Sequence, residues 1–263
     1  MAFLHIQMES QALHMPVPLD VILPQYDPTG ENGTPVKGPY KTLYLLHGSG
    51  GSQSDWVFKS NLLRYVEGLP LAVVMPAGNN SCYVNTPAGQ DYTDFLAWEL
   101  PSICEDWFPL SRERKDRYIA GLSMGGYGAY HAAMTYPQQF AKASSISGAL
   151  DISIVYHEDE FGKQAVNVLG PEENFAGGPN DLLALAERQK EKQADLPEML
   201  SLCGEQDALW EDNLFFQEKM EQLGLPVQLE SWEGEHNWEF WDAAICRVLE
   251  WLDVWEQNGK EQR

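Results

Sequence analysis

Six short apolar runs separated by helix-length segments constrain the fold of this chain more than any other feature. The runs cover residues 43–46, 71–75, 118–120, 143–147, 199–203 and 227–231. Each is too short for a buried helix and reads as a strand covered on both faces. Strands that alternate with helices need crossover connections, so the pattern predicts an α/β fold: a mostly parallel central sheet with helices on both faces. Residues 2–25 alternate in polarity and precede any helix, which predicts an antiparallel strand pair at the sheet edge. With 263 residues, 44% of them hydrophobic, the chain can fill one core of this kind, and a single domain over 1–263 is expected.

Two segments stand out. Trp241, Ile245, Val248, Leu252 and Trp255 recur at helical spacing and predict a final helix that packs one apolar stripe on the sheet. That packing also accounts for four of the nine tryptophans, at 238, 241, 251 and 255, without a carbohydrate platform. The second segment, residues 151–195, is longer than an ordinary connection and holds Gly170-Pro171 and Gly177-Gly178-Pro179. It predicts a small lid over the sheet edge.

Charge excludes some partners. Seventeen basic residues against 39 acidic ones give a formal net charge of −22, which repels phosphate backbones and anionic membrane surfaces. No stretch approaches the ~20 apolar residues of a membrane span. The first ten residues lack the basic and apolar regions of a secretory signal, so the expected location is the cytoplasm. Cys82, Cys104, Cys203 and Cys246 form no C-x-x-C pair and suggest reduced thiols, with neither a zinc cluster nor a disulfide framework. No cofactor and no metal site is indicated.

The chemistry centres on Gly121-Leu-Ser123-Met-Gly125, which fits G-x-S-x-G directly after an apolar strand and ahead of a helix ending near Pro137. Such a turn exposes the serine hydroxyl in a strained backbone, and the flanking glycines supply the room. A serine needs a base to take its proton. In this arrangement acid and histidine follow the serine in that order. His131 lies about two helical turns from Ser123, and His157 lies in the expected lid. His236, between the last strand and the final helix, is the expected base. Asp207, in the turn after the strand at 199–203, is the expected acid, with Glu205 and Asp212 as rivals. The oxyanion needs preset amide donors. Met124 is one, and Ser49, then Gly50, in the loop His47-Gly-Ser-Gly-Gly51 are candidates for the other. This loop lacks the lysine of a phosphate-binding loop.

Together, 45–51 with Trp56, 121–128, 203–207 with 211–213, and 234–241 resemble the esterase D family of the α/β-hydrolase superfamily. Within it, the chain looks most like the bacterial tributyrin-esterase branch, which includes relatives acting on feruloyl esters. The resemblance runs from about residue 2 to 256 and implies the triad Ser123, Asp207 and His236 with an oxyanion hole at Met124 and Ser49. S-formylglutathione hydrolases of the superfamily typically carry a threonine-cysteine pair where this chain has Gly50-Gly51. The expected activity is therefore hydrolysis of short-chain or aromatic acyl esters through an acyl-enzyme. Feruloyl-ester, glutathione-thioester and acyl-transfer chemistry are alternatives on the same triad, and a catalytically silent binding module is the non-enzymatic one. Trp56 and Tyr83, after strand ends, are expected to line the pocket. The expected partner is a small-molecule ester, with a homo-oligomer of the chain left open.

Overall fold

The computed structural model describes residues 1–25, 37–157, 162–225 and 227–254. Among them, eight strands form one sheet: β1 (Ala2–Ser10), β2 (Met15–Leu23), β3 (Lys41–Leu46), β4 (Leu71–Pro76), β5 (Arg117–Leu122), β6 (Lys142–Ile146), β7 (Glu198–Gly204) and β8 (Gln228–Trp232). Their order is β1-β2-β4-β3-β5-β6-β7-β8. β1 pairs with β2, and β2 with β4, in antiparallel fashion; every pairing from β4 through β3 to β8 is parallel. The mixed α/β sheet of the sequence reading, with its hairpin on one edge, is thus the observed one. Strands at the middle of the order are covered on both faces, and β4 and β5 are buried at every position. The outermost strand, β1, alternates half-buried and exposed residues over most of its length.

Strand alternation feeds two cores. Tyr44, Leu46 and Ile119 point into one, together with Tyr127 and Tyr130 of the helix Met124–Thr135 that follows the serine. Leu43, Leu45, Tyr118 and Ala120 point into the other, where the final helix Trp238–Trp251 lies. Ile245 and Val248 on that helix are fully buried, and Trp241 and the capping residue Leu252 nearly so. At about 1.5–3 kcal/mol for each buried aliphatic side chain, this stripe fixes the helix on the sheet. Trp255, the last member of the expected stripe, lies outside the described residues.

After β6 the chain passes through a 3-10 turn at Ile152–His157, a helix at Gly162–Leu169 and a second helix at Leu182–Glu191 before β7. The first helix is amphipathic, burying Ala165 and Leu169 and exposing Val166. The second is capped by Asp181, whose carboxylate accepts the amides of Leu183 and Ala184, and it packs on the helix after the serine. The acidic run at 158–160 lies outside the described residues.

One buried polar side chain ties the loops near the sheet's carboxyl edge. Asn213, on the helix Trp210–Gln222, is fully buried; its amide donates to Gly148 O and Leu209 O, each at 2.9 Å, and accepts from Ser201 Oγ at 2.9 Å. Removing it strands a buried carbonyl and a buried hydroxyl. Asn213→Ala is therefore expected to lower unfolding free energy by about 2–3 kcal/mol in urea titration.

Candidate active site

β5 runs into the helix Met124–Thr135 through a single residue, Ser123, at φ 54 and ψ −119. A β-carbon on Gly121 would lie 2.4 Å from Gly125 O, and one on Gly125 would lie 2.6 Å from His47 O. The turn closes only with glycine at both positions. It leaves the serine hydroxyl pointing out of the sheet's carboxyl edge, toward the loops that follow β7 and β8.

From those loops come the partners. His236 Nε2 stands 3.0 Å from Ser123 Oγ, and its Nδ1 stands 2.9 and 3.1 Å from the two oxygens of Asp207. A carboxylate only accepts, so Nδ1 carries the proton, and Nε2 presents a lone pair to the serine. The Asp207 side chain is fully buried while that of His236 is about one-third exposed. Burial pushes the Asp207 carboxyl up, but hydrogen bonds from His236 and the Leu209 amide outweigh it and leave the acid below its usual range. The edge of the Trp241 indole packs on the imidazole at 4.9 Å.

The acid and base loops are laced together. Gln206 N donates to Gly234 O at 3.0 Å, Gly234 N returns to Gln206 Oε1 at 2.8 Å, and Glu205 N reaches Trp232 O at 3.0 Å. Of the three expected acids, the structure brings Asp207 to the histidine and not the other two. Glu205 accepts from Ser231 Oγ, and Asp212 accepts the amide of Asp151.

The glycine loop after β3 lies against the nucleophile: a β-carbon on Gly48 would meet Ser123 Cβ at 3.4 Å. Neither the Met124 nor the Ser49 amide has a hydrogen-bond acceptor among the described residues. Gly50, the second candidate, differs. Its N–H donates to Asn80 Oδ1 at 2.7 Å and is already spent, which corrects that expectation and leaves Ser49. His47 braces the loop from inside: Nδ1 donates to Gly48 O at 2.7 Å, and Nε2 accepts Gly78 N at 2.9 Å.

A serine, an oriented histidine, a buried carboxylate and free amides are the groups that nucleophilic acyl transfer requires. The model of the family described as "Putative esterase" matches residues 10–252. The chain belongs to this esterase family. It is 29% identical to an acetyl esterase of Caldicellulosiruptor saccharolyticus, over 96% of this chain and 98% of that protein. Its fold superposes on a substrate-bound, fluorophosphonate-binding serine hydrolase of Staphylococcus aureus with a TM-score of 0.86 and 33% identity, covering 95% of this chain and 98% of the other. An S-formylglutathione hydrolase of Staphylococcus aureus gives a TM-score of 0.84 at 33% identity, with coverage of 95% and 98%.

Two expected pocket residues of the esterase lie beneath the site instead. Trp56 and Tyr83 are both fully buried. Trp56 Nε1 donates to Leu46 O at 3.0 Å and its ring meets Trp238 edge-on, while the Tyr83 hydroxyl donates to His47 O at 3.1 Å. A side chain with no exposed surface offers an acyl group no contact, so the pair supports the glycine loop from behind. The open wall beside Ser49 and Met124 is formed by Asn80 and Cys82, and opposite them by Val155, Gln164, Ala165 and Val168. Asn80 was not singled out in the sequence reading, because its partner is thirty residues away. A larger surface hollow, around Thr93, His131 and Arg188, contains no member of the triad.

Two histidines other than His236 are expected to make the esterase acid-sensitive. Burial lowers the pKa of His131 to about 4 and also lowers that of His47, whose Nε2 must stay bare to hold Gly78 N. A depressed folded-state pKa gives stability that is complete above the ordinary value of 6.5 and is lost as pH falls through the folded value. For His131 the loss amounts to about 3 kcal/mol between neutrality and pH ~4. The Tm of the wild-type protein is expected to fall over this window, and that of His131→Gln to fall less steeply in the same pH series.

Proposed function

We propose that the esterase cleaves short acyl esters through a covalent acyl-enzyme on Ser123, with His236 as general base and Asp207 as the group that orients it. The observation that carries the reading is the unbroken chain Ser123 Oγ, His236 Nε2, His236 Nδ1, Asp207 at 3.0 and 2.9 Å. His236 takes the serine proton as Oγ attacks the ester carbonyl. The Met124 and Ser49 amides then receive the negative oxygen, and each such donor is typically worth a factor of about 10² to 10³ in kcat. Collapse of the intermediate expels the alcohol, to which the imidazolium gives its proton. Water, activated by the same histidine, attacks the acyl-enzyme and frees the acid.

Within the family, the motifs at 121–128 and 234–241 favour the esterase D group and its tributyrin-esterase branch. The space beside Met124, walled by Val155 and Val168, is only about 10 Å³, which favours a short acyl group over a long one. Feruloyl esters are the weaker choice, because Trp56 and Tyr83 are not available to flank an aromatic acid. Thioester hydrolysis has one specific support, the likeness to the Staphylococcus aureus S-formylglutathione hydrolase. Against it stand Gly50-Gly51 in place of the threonine-cysteine pair and a net charge of −22 facing an anionic thiol. Thiols in place of disulfides among the described residues suit a reducing cytoplasm as the place of action.

Ser123→Ala is expected to abolish hydrolysis of p-nitrophenyl esters and labelling by a fluorophosphonate while leaving the Tm close to wild type. Wild-type turnover in that variant would remove Ser123 from the mechanism. For the acid, Asp207→Asn should cost about 10⁴ in kcat, because the histidine loses its tautomer, whereas Glu205→Gln should cost little. In a series of p-nitrophenyl esters, kcat/KM should peak between acetyl and butyryl, since a chain that cannot be buried gains no transition-state binding. A steady rise to palmitate would overturn the short-acyl assignment and leave the triad standing.

A further inference from the structure

The pocket beside the serine is apolar over most of its wall but carries two side-chain amides, those of Asn80 and Gln164. Cys82, Met124, Val155, Ala165 and Val168 offer hydrocarbon or sulfur surface, as a short alkyl chain requires. The two amides do not fit that description, and among the described residues only one of them is anchored by a hydrogen bond, Asn80. Its Oδ1 accepts the Gly50 N–H at 2.7 Å, and since only the carbonyl oxygen of an amide can accept from N–H, the amide's orientation is fixed. The Nδ2 group then has no hydrogen-bond partner among the described residues, although Asn80 lines the pocket.

Its neighbours on the same loop are committed elsewhere. Asn79 Nδ2 donates to the Tyr92 hydroxyl at 2.8 Å, and Ser81 Oγ donates to Gly78 O at 2.6 Å. Water can satisfy Asn80 Nδ2 while the pocket is empty. An acyl group that enters this space displaces the water, and a donor left without an acceptor costs up to about 1–3 kcal/mol, the upper end applying only to a fully desolvated group. A plain alkanoyl chain leaves that cost unmet. An acyl chain with an oxygen at the right depth offsets it.

Resting on the esterase reading above, we infer that Asn80 determines acyl specificity: its Nδ2 donates to an oxygen of the acyl chain, so that the preferred substrates are esters of short acids bearing an ether, hydroxyl or keto oxygen. The same side chain keeps the Gly50 amide turned away from the oxyanion, which makes it a positioning residue for the glycine loop as well.

The test compares p-nitrophenyl methoxyacetate with p-nitrophenyl butyrate, which share a leaving group and chain length and differ by one oxygen in place of one methylene. The wild-type protein is expected to favour methoxyacetate in kcat/KM beyond the ratio of the two alkaline hydrolysis rates. Asn80→Asp keeps an oxygen for Gly50 N–H and removes the donor; Asn80→Ala removes both. In each, the methoxyacetate-to-butyrate ratio should fall roughly three- to tenfold, the worth of one neutral hydrogen bond, while intrinsic reactivity cancels between proteins. If Asn80→Ala fails to fold, Asn80→Asp decides alone. An unchanged ratio, or a loss shared equally by both esters, overturns the inference. Failure of the underlying reading would look different: a wild-type protein that cleaves neither ester and resists a fluorophosphonate.

Discussion

The backbone of Ser123 is the constraint on which the rest of the site depends. A non-glycine residue at positive φ costs about 1–3 kcal/mol and persists only where the surroundings overdetermine it. Here three elements do so. Ser123 N donates to Ile146 O of β6 at 2.9 Å, and Ser123 O accepts the amides of Gly126 and Tyr127 in its own helix, at 2.9 and 3.2 Å, and of Ala149 beyond β6, at 3.3 Å. Gly121 and Gly125 let that helix come within contact of β3. The strain is thus held by the centre of the sheet.

Everything reactive is then arranged around a point the sheet has fixed. Asp207 comes from the loop after β7 and His236 from the loop after β8, adjacent strands paired in parallel. Their loops emerge at the same edge and can exchange backbone hydrogen bonds between Gln206 and Gly234. Asp207 is buried and therefore needs compensation, which His236 and the Leu209 amide provide. His236 is partly open, as the base role proposed for it requires, since such a group hands protons to an alcohol and takes them from water.

Aromatic packing links this site to the core beneath it. Trp56 on the helix after the glycine loop meets Trp238, Trp238 meets Trp241, and Trp241 meets the imidazole, each edge-on at about 5 Å. The oxyanion loop and the base are thereby registered against the same final helix. On the other side, the 3-10 turn and helix after β6 supply the pocket wall with small aliphatic residues, so the reach of an acyl group depends on a segment that plays no part in the triad.

The sequence by itself determined the α/β alternation of strands and helices and pointed to the three residues proposed as nucleophile, base and acid. These are written in local terms: apolar runs of strand length, glycines whose absence would clash, and a fixed chain order of serine, acid and histidine at successive strand ends. Asp207 could be preferred over Glu205 and Asp212 from its place in the turn, and it is the one of the three that the structure brings within hydrogen-bond distance of His236. The tertiary structure alone decided depth and partnership. An aromatic residue after a strand end can point up into a cleft or down under it, and no pattern distinguishes the two; Trp56 and Tyr83 point down because the loop carbonyls of Leu46 and His47 need their donors. Likewise, whether Gly50 or Ser49 faces the oxyanion depends on Asn80, thirty residues further along the chain, whose carbonyl oxygen reaches Gly50 only after β3 and β4 have paired.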